Sequence, residues 1–329
     1  MRQVDNDFDC IDIYKQPVLQ HPLLKNHKIR LYPTFAKNVV HSRTSYDGEC
    51  PAGKVPIYKS IRKHQIVTNS SSKLQFEDGS RYRTVSLSTT QNSIYGGYTV
   101  ISIYNISLVL GQSSSSFICV ENGPPNELDV ICAGLTVQPN LYGDSQPRLT
   151  TEIVDRDNKG CINKRCPDFV QVTVDKPYIG DVRSPSTPIG ESGKKSVVAV
   201  KIQRDKSTGN WWLTLDENIR VGYWPKELFT HLREGASGVR FVGQVYAAPN
   251  LPYPPMGSGR LPKEGYANTA LFGKLMTIDV ESSQVDVNPG DMKSYNDANS
   301  NCYDLKYYEY SGTKYRQAFL FGGPGGQNC

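Results

Sequence analysis

Two of the eight cysteines, Cys119 and Cys132, have a spacing that could place them side by side. The segment between them is centred on Pro124-Pro-Asn126, and a hairpin that turns there would set the two cysteines opposite each other. Opposed residues on neighbouring strands have Cβ atoms about 4.5–5.5 Å apart, which a local adjustment can shorten enough for a disulfide. We therefore predict a Cys119–Cys132 disulfide. The competing interpretation is a free Cys132 thiol that acts as a nucleophile, which would need a nearby histidine to activate it.

The other six cysteines are also predicted to form disulfides. An even cysteine count indicates an oxidising compartment. Cys10–Cys50 would crosslink a short N-terminal unit. Cys161–Cys166 would close a local loop, and Cys302–Cys329 would fasten the C-terminal tail. No second cysteine pair or histidine pair accompanies these spacings, so we expect no metal site and no cofactor.

The same features favour a secreted, extracellular protein. Asn69 and Asn105 begin Asn-x-Ser sequons for glycosylation. The first residues lack the apolar run of a signal peptide, and we interpret the chain as truncated at its N-terminus. No stretch approaches 18 apolar residues, so no membrane span is expected.

Composition and charge limit the possible fold classes and binding partners. The net charge is +5, from 37 basic and 32 acidic residues that are mixed along the chain, so we expect no nucleic-acid partner. We also expect a monomer. The 28 glycines, 21 prolines and 20 tyrosines are typical of many short strands joined by turns.

Hydrophobic alternation indicates strands from residue 81 to the C-terminus. Val170, Val172 and Val174 alternate with polar residues, and residues 98–110 read as one long strand with a bulge near Asn105. This pattern predicts an all-β sandwich or barrel. One helix is predicted over residues 224–232, with Pro225 at its first position. Residues 1–60 form a separate small unit, and the polar residues 61–80 form a linker where a processing protease would find exposed backbone.

Several long strings resemble the neprosin family of plant endopeptidases, from about residue 9 to the end. In the N-terminal unit these are Cys10-Ile-Asp-Ile-Tyr-Lys-Gln-Pro17, His21-Pro-Leu-Leu-Lys-Asn-His-Lys-Ile29 and Cys50-Pro-Ala-Gly-Lys-Val-Pro-Ile57. In the remainder they are Leu141-Tyr-Gly-Asp-Ser-Gln-Pro-Arg-Leu149, Gly209-Asn-Trp-Trp-Leu213, Val221-Gly-Tyr-Trp-Pro-Lys-Glu-Leu-Phe-Thr-His-Leu232, Met256-Gly-Ser-Gly259 and Phe321-Gly-Gly-Pro-Gly-Gly326.

The resemblance implies an antiparallel β-sandwich of two curved sheets with a groove on one concave face. It implies that residues 1–60 correspond to an activation peptide that covers the groove until it is cleaved, and that residues 81–329 form the catalytic-type domain. The groove would hold a proline-rich peptide or protein. Candidate groove residues are Tyr142, Trp211, Trp212, Tyr223 and Trp224, although core packing is the favoured role for the three tryptophans and Tyr223.

The family's chemistry rests on two glutamates that face each other across the groove. The first precedes Ala-Gly-Trp, and here that position reads Cys132-Ala-Gly-Leu135. The second follows Gly-Gly, and here Gln244 stands in its place. A paired-carboxylate mechanism needs one group that accepts a proton and one that donates it. Glutamine has no titratable proton, and a disulfide-bonded cysteine has none to exchange.

We therefore expect a secreted, groove-bearing member of a peptidase family that lacks its catalytic dyad and binds peptide without cutting it. One alternative is an active prolyl endopeptidase with relocated acids, for which Glu127, Asp129 and Glu152 lie near the first position. A second alternative is a lectin-like module that binds the cell wall.

Overall fold

The computed structural model describes residues 8–36, 50–59, 81–154, 160–163, 168–188 and 195–329. Nearly all regular structure in these residues is β-strand. In chain order the strands are β1 Phe8–Asp12, β2 Lys54–Tyr58, β3 Tyr82–Ile94, β4 Gly96–Ser102, β5 Gln112–Asn122, β6 Asp129–Val137, β7 Arg148–Val154, β8 Gly160–Ile162, β9 Val170–Gln171, β10 Val197–Arg204, β11 Trp211–Leu215, β12 Ile219–Trp224, β13 Ala236–Ala247, β14 Ala270–Ile278, β15 Gln284–Asp286, β16 Lys293–Asn296, β17 Asp304–Tyr308 and β18 Ala318–Gly322.

The described helices are short. Two α-helical turns are α1 Pro139–Tyr142 and α2 Gly312–Tyr315, and the 3₁₀ turns are Ile13–Lys15, Pro17–Gln20, Pro22–Leu24, Lys226–Leu228, Pro262–Glu264 and Pro289–Asp291. None of the helices in this part of the chain is long and apolar enough to cross a bilayer. The predicted linker 61–80, Asn69 and Cys166 lie outside the described residues.

The strands form two large antiparallel sheets and one small one. The seven-stranded sheet has the order β16-β3-β13-β5-β6-β7-β8. The nine-stranded sheet has the order β17-β18-β14-β4-β10-β11-β12-β9, with β15 paired to β14. β1 and β2 form the small sheet. The expected all-β class with two antiparallel sheets is confirmed.

The main core lies between the two large sheets. Alternate residues of the central strands point into it, such as Ile118 and Val120 of β5, which are fully buried. Gly243 of β13 also faces inward, where a Cβ atom would lie 2.5 Å from the ring of Phe321. The close approach of the other sheet thus requires glycine at position 243. Because side chains alternate along a strand, the next residue, Gln244, lies on the opposite face.

The N-terminal unit is docked firmly onto this sandwich. Its two strands pair with each other, and the Cys10–Cys50 disulfide joins β1 to the segment before β2, with a Cα–Cα distance of 5.5 Å. The Gln16 side chain exchanges two hydrogen bonds of 2.9 Å with the backbone of Gln171 in β9. Val18 and Leu24 are each 2% exposed and belong to the main core cluster. The unit therefore contributes core residues as well as surface contacts.

Two local predictions differ from the structure. The strand predicted over residues 98–110 ends at Ser102, because side chains take over the later hydrogen bonds: Ser145 Oγ accepts from Leu108 N and Gln112 Oε1 accepts from Val109 N. The helix predicted over residues 224–232 is a single 3₁₀ turn, Lys226–Leu228.

Candidate functional site

Cys132 and Gln244, the positions that the resemblance assigns to the catalytic glutamates, lie on the same face of the seven-stranded sheet, the one directed away from the main core. We call this the groove face; its central members are Thr84, Ser115, Cys132, Thr136, Glu152 and Gln244. Strand register places them there, because Cys132 is directly opposite Glu152 of β7 and Gln244 is opposite Ser115 of β5. Opposed residues of an antiparallel pair share a face.

Gln244 is held by short polar side chains. It is 8% exposed, and its Nε2 donates to Thr84 Oγ1 at 3.2 Å. Ser115, its cross-strand neighbour, accepts a 3.0 Å hydrogen bond from Thr136 Oγ1. An amide in this position can donate and accept hydrogen bonds, but it cannot take a proton from water.

Cys132 carries no thiol in this structure. It forms a disulfide with Cys119, with which it is in direct register, at a Cα–Cα distance of 4.1 Å. Both cysteines are buried, and they pack with Phe117 and Val242 in a small apolar cluster on the groove face. Cys132, which the resemblance assigns to the first glutamate position, is therefore part of an apolar disulfide. A nucleophilic Cys132 would need a free thiol, and the structure has none at this position.

Glu152 and Tyr82 both lie on the groove face, on strands that are not neighbours. Glu152 on β7 and Tyr82 on β3 are separated by β6, β5 and β13, which in a flat sheet would place the two strands about 19 Å apart. The pKa of Tyr82 is raised to about 12, chiefly by burial and then by the charges of Glu152 and Tyr246.

Register also fixes the spacing of Cys132 and Gln244. Gln244 lies level with Thr136, and Cys132 is two strands across and four residues further along, which is about 17 Å in a flat sheet.

Of the three relocated acids considered, only Glu152 lies on the groove face. Asp129 is 1% exposed, and its Oδ2 accepts hydrogen bonds from the backbone amides of residues 230–232. Glu127 lies in the turn between β5 and β6 and pairs with His231 at 3.5 Å. Burial raises the pKa of the Glu152 carboxyl to about 7. Glu121 is a further acid on the groove face, where it pairs with Arg240.

Four of the five predicted groove aromatics belong to the core instead. Trp211, Trp212, Tyr223 and Trp224, here called the aromatic cluster, are fully buried. Trp211 Nε1 donates to Leu232 O at 2.9 Å, and the rings of Trp212 and Tyr223 lie 4.8 Å apart. Their placement on β11 and β12 of the nine-stranded sheet explains the correction, because these strands contribute no residue to the groove face.

The N-terminal unit covers part of this cluster. The Tyr223 hydroxyl accepts from Arg30 N at 3.0 Å and contacts His27 Nε2 at 2.9 Å. Among the described residues, the unit reaches the seven-stranded sheet at one edge, where the Tyr58 ring contacts Tyr142 and the Arg148 guanidinium. The expectation that this unit covers the groove stays a prediction for the residues beyond that edge.

Tyr142, the fifth candidate, lies at the same edge. It is 3% exposed, and its hydroxyl contacts Thr150 Oγ1 at 2.5 Å and accepts from Asn163 Nδ2 at 2.6 Å. It therefore braces the β7 side of the groove and does not present its ring to a ligand. Asn105, the predicted glycosylation site, is exposed.

Sequence reasoning missed the small polar residues of the groove face. Thr84, Ser115 and Thr136 carry no motif of their own, and Tyr82 and Tyr246 give no signal beyond strand propensity. Counting every second residue from Gln244 and Cys132 would have found Tyr246 and Thr136. The neighbours on other strands can be identified only when the pairing register of those strands is known.

A concave antiparallel β-sandwich with a polar groove is the class of protein that the fold and the site define. A sequence-family profile described as Neprosin matches residues 110–324, more than half of the chain, and the chain belongs to the neprosin family.

Solved structures of similar fold include scytalido-glutamic peptidase with a peptide-based transition-state analogue, at 10% identity and a TM-score of 0.42, over 73% of this chain and 97% of that one. They also include SCP-B, a member of the eqolisin family of peptidases in complex with the tripeptide Ala-Ile-His, at 7% identity and a TM-score of 0.41 over the same shares.

Proposed function

We propose that this protein is a secreted, non-proteolytic member of the neprosin family that binds extended peptides in its groove. The observation that carries the proposal is the Cys119–Cys132 disulfide at the first catalytic position, together with Gln244 at the second. Losing one general acid or base costs about 10²–10⁴ in rate, and here both positions lack a titratable group.

The groove face supports the binding part of the proposal. It combines hydroxyl and amide groups with the rings of Tyr82 and Tyr246, whose centroids are 4.9 Å apart. Alternating polar and apolar contacts along a groove suit an extended chain, and aromatic rings pack well against proline. The disulfides are compatible with the secretion that we propose.

Cleavage of a proline-rich peptide at acidic pH tests the loss of catalysis. We expect no product from the full chain. The triple variant Cys119→Ser, Cys132→Glu, Gln244→Glu restores both carboxyls and should gain cleavage, whereas the control Cys119→Ser, Cys132→Ser should not. Robust cleavage by the unchanged protein that Gln244→Ala abolishes would reject the proposal.

A second candidate is slow hydrolysis by Glu152 acting alone as acid and base. Its raised pKa of about 7 favours this role, because a group that titrates near neutral pH can both give and take a proton. Glu152→Gln would then remove cleavage that the unchanged protein shows. Under the leading proposal neither protein cleaves.

A further inference from the structure

A polar cavity lies near the β17 edge of the nine-stranded sheet, outside the groove face. Its volume is about 360 Å³, within the range of small-molecule sites in proteins. It is formed by β15 and by the connection from β17 to β18, which contains α2. The residues that line it are Asp286, Glu309, Tyr310, Thr313, Arg316 and Gln317. A ligand in this cavity would therefore contact different strands from a ligand in the groove.

The walls of the cavity are fixed by hydrogen bonds. Gln317 is buried; its Oε1 accepts from the Tyr307 hydroxyl at 2.5 Å, and its Nε2 donates to Val287 O. The connection that contains α2 is closed by a backbone hydrogen bond of 2.8 Å from Arg316 N to Gly312 O. A ligand would thus meet a cavity that is already formed, which lowers the entropic cost of binding.

Arg316 has a backbone conformation that favours glycine. Its φ is 51° and its ψ is −116°, and a non-glycine residue at such a positive φ is strained. Its Nη2 donates to Asp286 Oδ2, which holds the guanidinium at the cavity. Backbone strain of this kind clusters at binding sites. An arginine therefore stands where glycine would fit without strain, and its side chain lines the cavity.

The unpaired polar groups of the cavity include both donors and acceptors. Among the described residues, no hydrogen bond reaches Arg316 Nε or Nη1, the Glu309 carboxylate or the Thr313 hydroxyl. The two acids, Glu309 and Asp286, disfavour an anionic ligand, and the guanidinium disfavours a cationic one. A neutral ligand with closely spaced hydroxyl groups suits this mixture, because a hydroxyl both donates and accepts.

Tyr310 adds an aromatic surface to these polar groups. It is 68% exposed, and within the part of the chain that the structure describes no other ring or cation packs on it. A free aromatic ring can pack against the carbon-bound hydrogens on one face of a sugar ring. The sugar hydroxyls then point outward from the edge of that ring, where polar side chains can fix its orientation.

We propose that this cavity binds a neutral saccharide, separately from the peptide groove. The sugar ring would stack on Tyr310, and its hydroxyls would bond to Arg316 and Glu309. The proposal does not rest on the proposed peptide-binding function, because the cavity and the groove face have no residue in common.

Saturation-transfer difference NMR on the full chain tests the proposal with cellobiose, maltose, lactose and xylobiose as neutral probes. Spermidine and glucuronate are the cationic and anionic probes. We expect transfer to at least one disaccharide and none to the charged probes, and a proline-rich peptide should not displace the bound sugar. Absence of transfer to all the disaccharides, stronger binding of a charged probe, or displacement by the peptide overturns the proposal.

Two variants connect the binding to this cavity. Tyr310→Ala should weaken binding of the disaccharide about tenfold. Tyr14→Ala, which removes a tyrosine of similar exposure from the N-terminal unit, should leave it unchanged. Arg316→Gly should also weaken binding while the melting temperature does not fall, because release of the strained φ offsets the greater freedom of glycine in the unfolded chain. Unchanged affinity in either cavity variant would contradict the assignment.

Discussion

The groove face and the aromatic cluster differ in how far they keep the residues expected of the family. The aromatic cluster on β11 and β12 lies within the strings that resemble the family and is fully buried. On the groove face, the positions that the resemblance assigns to the two catalytic glutamates hold a disulfide and an amide. The buried aromatic residues that stabilise the sandwich are thus separate from the positions that would exchange protons. Substitutions at those positions can therefore leave the fold intact.

Truncating the aromatic cluster should have the largest effect. We expect Trp211→Ala to lower the free energy of unfolding by about 3–5 kcal/mol, because it leaves a large cavity in a packed core and removes the hydrogen bond to Leu232 O. Gln244→Ala, the matched change on the groove face, should cost about 1 kcal/mol. Urea denaturation measures both, and equal losses would break the distinction between the two regions.

Removing the groove disulfide should have the next largest effect. Cys119→Ser with Cys132→Ser opens a crosslink of sequence separation 13, and we expect a loss of about 2–3 kcal/mol in urea denaturation. Peptide cleavage should stay absent. A single Cys119→Ser variant that cleaves peptide and is blocked by thiol alkylation would instead show that Cys132 is a latent nucleophile.

A smaller effect is expected where the N-terminal unit meets the sandwich. Asp205 is fully buried and accepts two 2.6 Å hydrogen bonds from Thr34, one from the backbone N and one from Oγ1. Thr34→Val removes only the second, and we expect local opening of residues 8–36 to become about 1–2 kcal/mol easier. Hydrogen exchange measures this, with β13 as the internal reference that should not change.

The smallest effect should be the pH dependence due to Glu152. Its folded-state pKa of about 7 is above the usual value of 4.5, so the folded state holds this proton more tightly than the unfolded chain. This contribution to stability is complete below about pH 4.5 and is lost as the pH rises through 7. We expect about 1 kcal/mol, because the side chain is partly exposed and solvent screens it.

Thermal unfolding of Glu152→Gln and of the unchanged protein between pH 4 and pH 8 measures this difference. The variant should lack the decline assigned to Glu152, and parallel curves would contradict the assignment.

The sequence alone predicted the features that depend on short-range pattern. The all-β class follows from alternation, and the opposition of Cys119 and Cys132 follows from symmetry about one turn. The residues of the groove face other than Cys132 and Gln244 could not be predicted, because their placement on one face depends on register across five strands.

The helix predicted over residues 224–232 shows why local signals failed elsewhere. Pro225 and the apolar spacing favour a helix, but the amides of Thr230, His231 and Leu232 donate to Asp129, about a hundred residues earlier in the chain. A buried carboxylate that accepts three amides outweighs a weak local propensity. No window of sequence around residue 230 contains that information.

The reciprocal Gln16–Gln171 hydrogen bonds and the burial of Val18 and Leu24 bear on the predicted cleavage between the N-terminal unit and the sandwich. A nick in the chain between the N-terminal unit and the sandwich severs one covalent connection but leaves these contacts in place. We therefore expect scission and dissociation to be two events with separate rates, the second limited by exposure of apolar surface to water. A second cut between Cys10 and Cys50 would still leave the two pieces of the N-terminal unit linked by their disulfide.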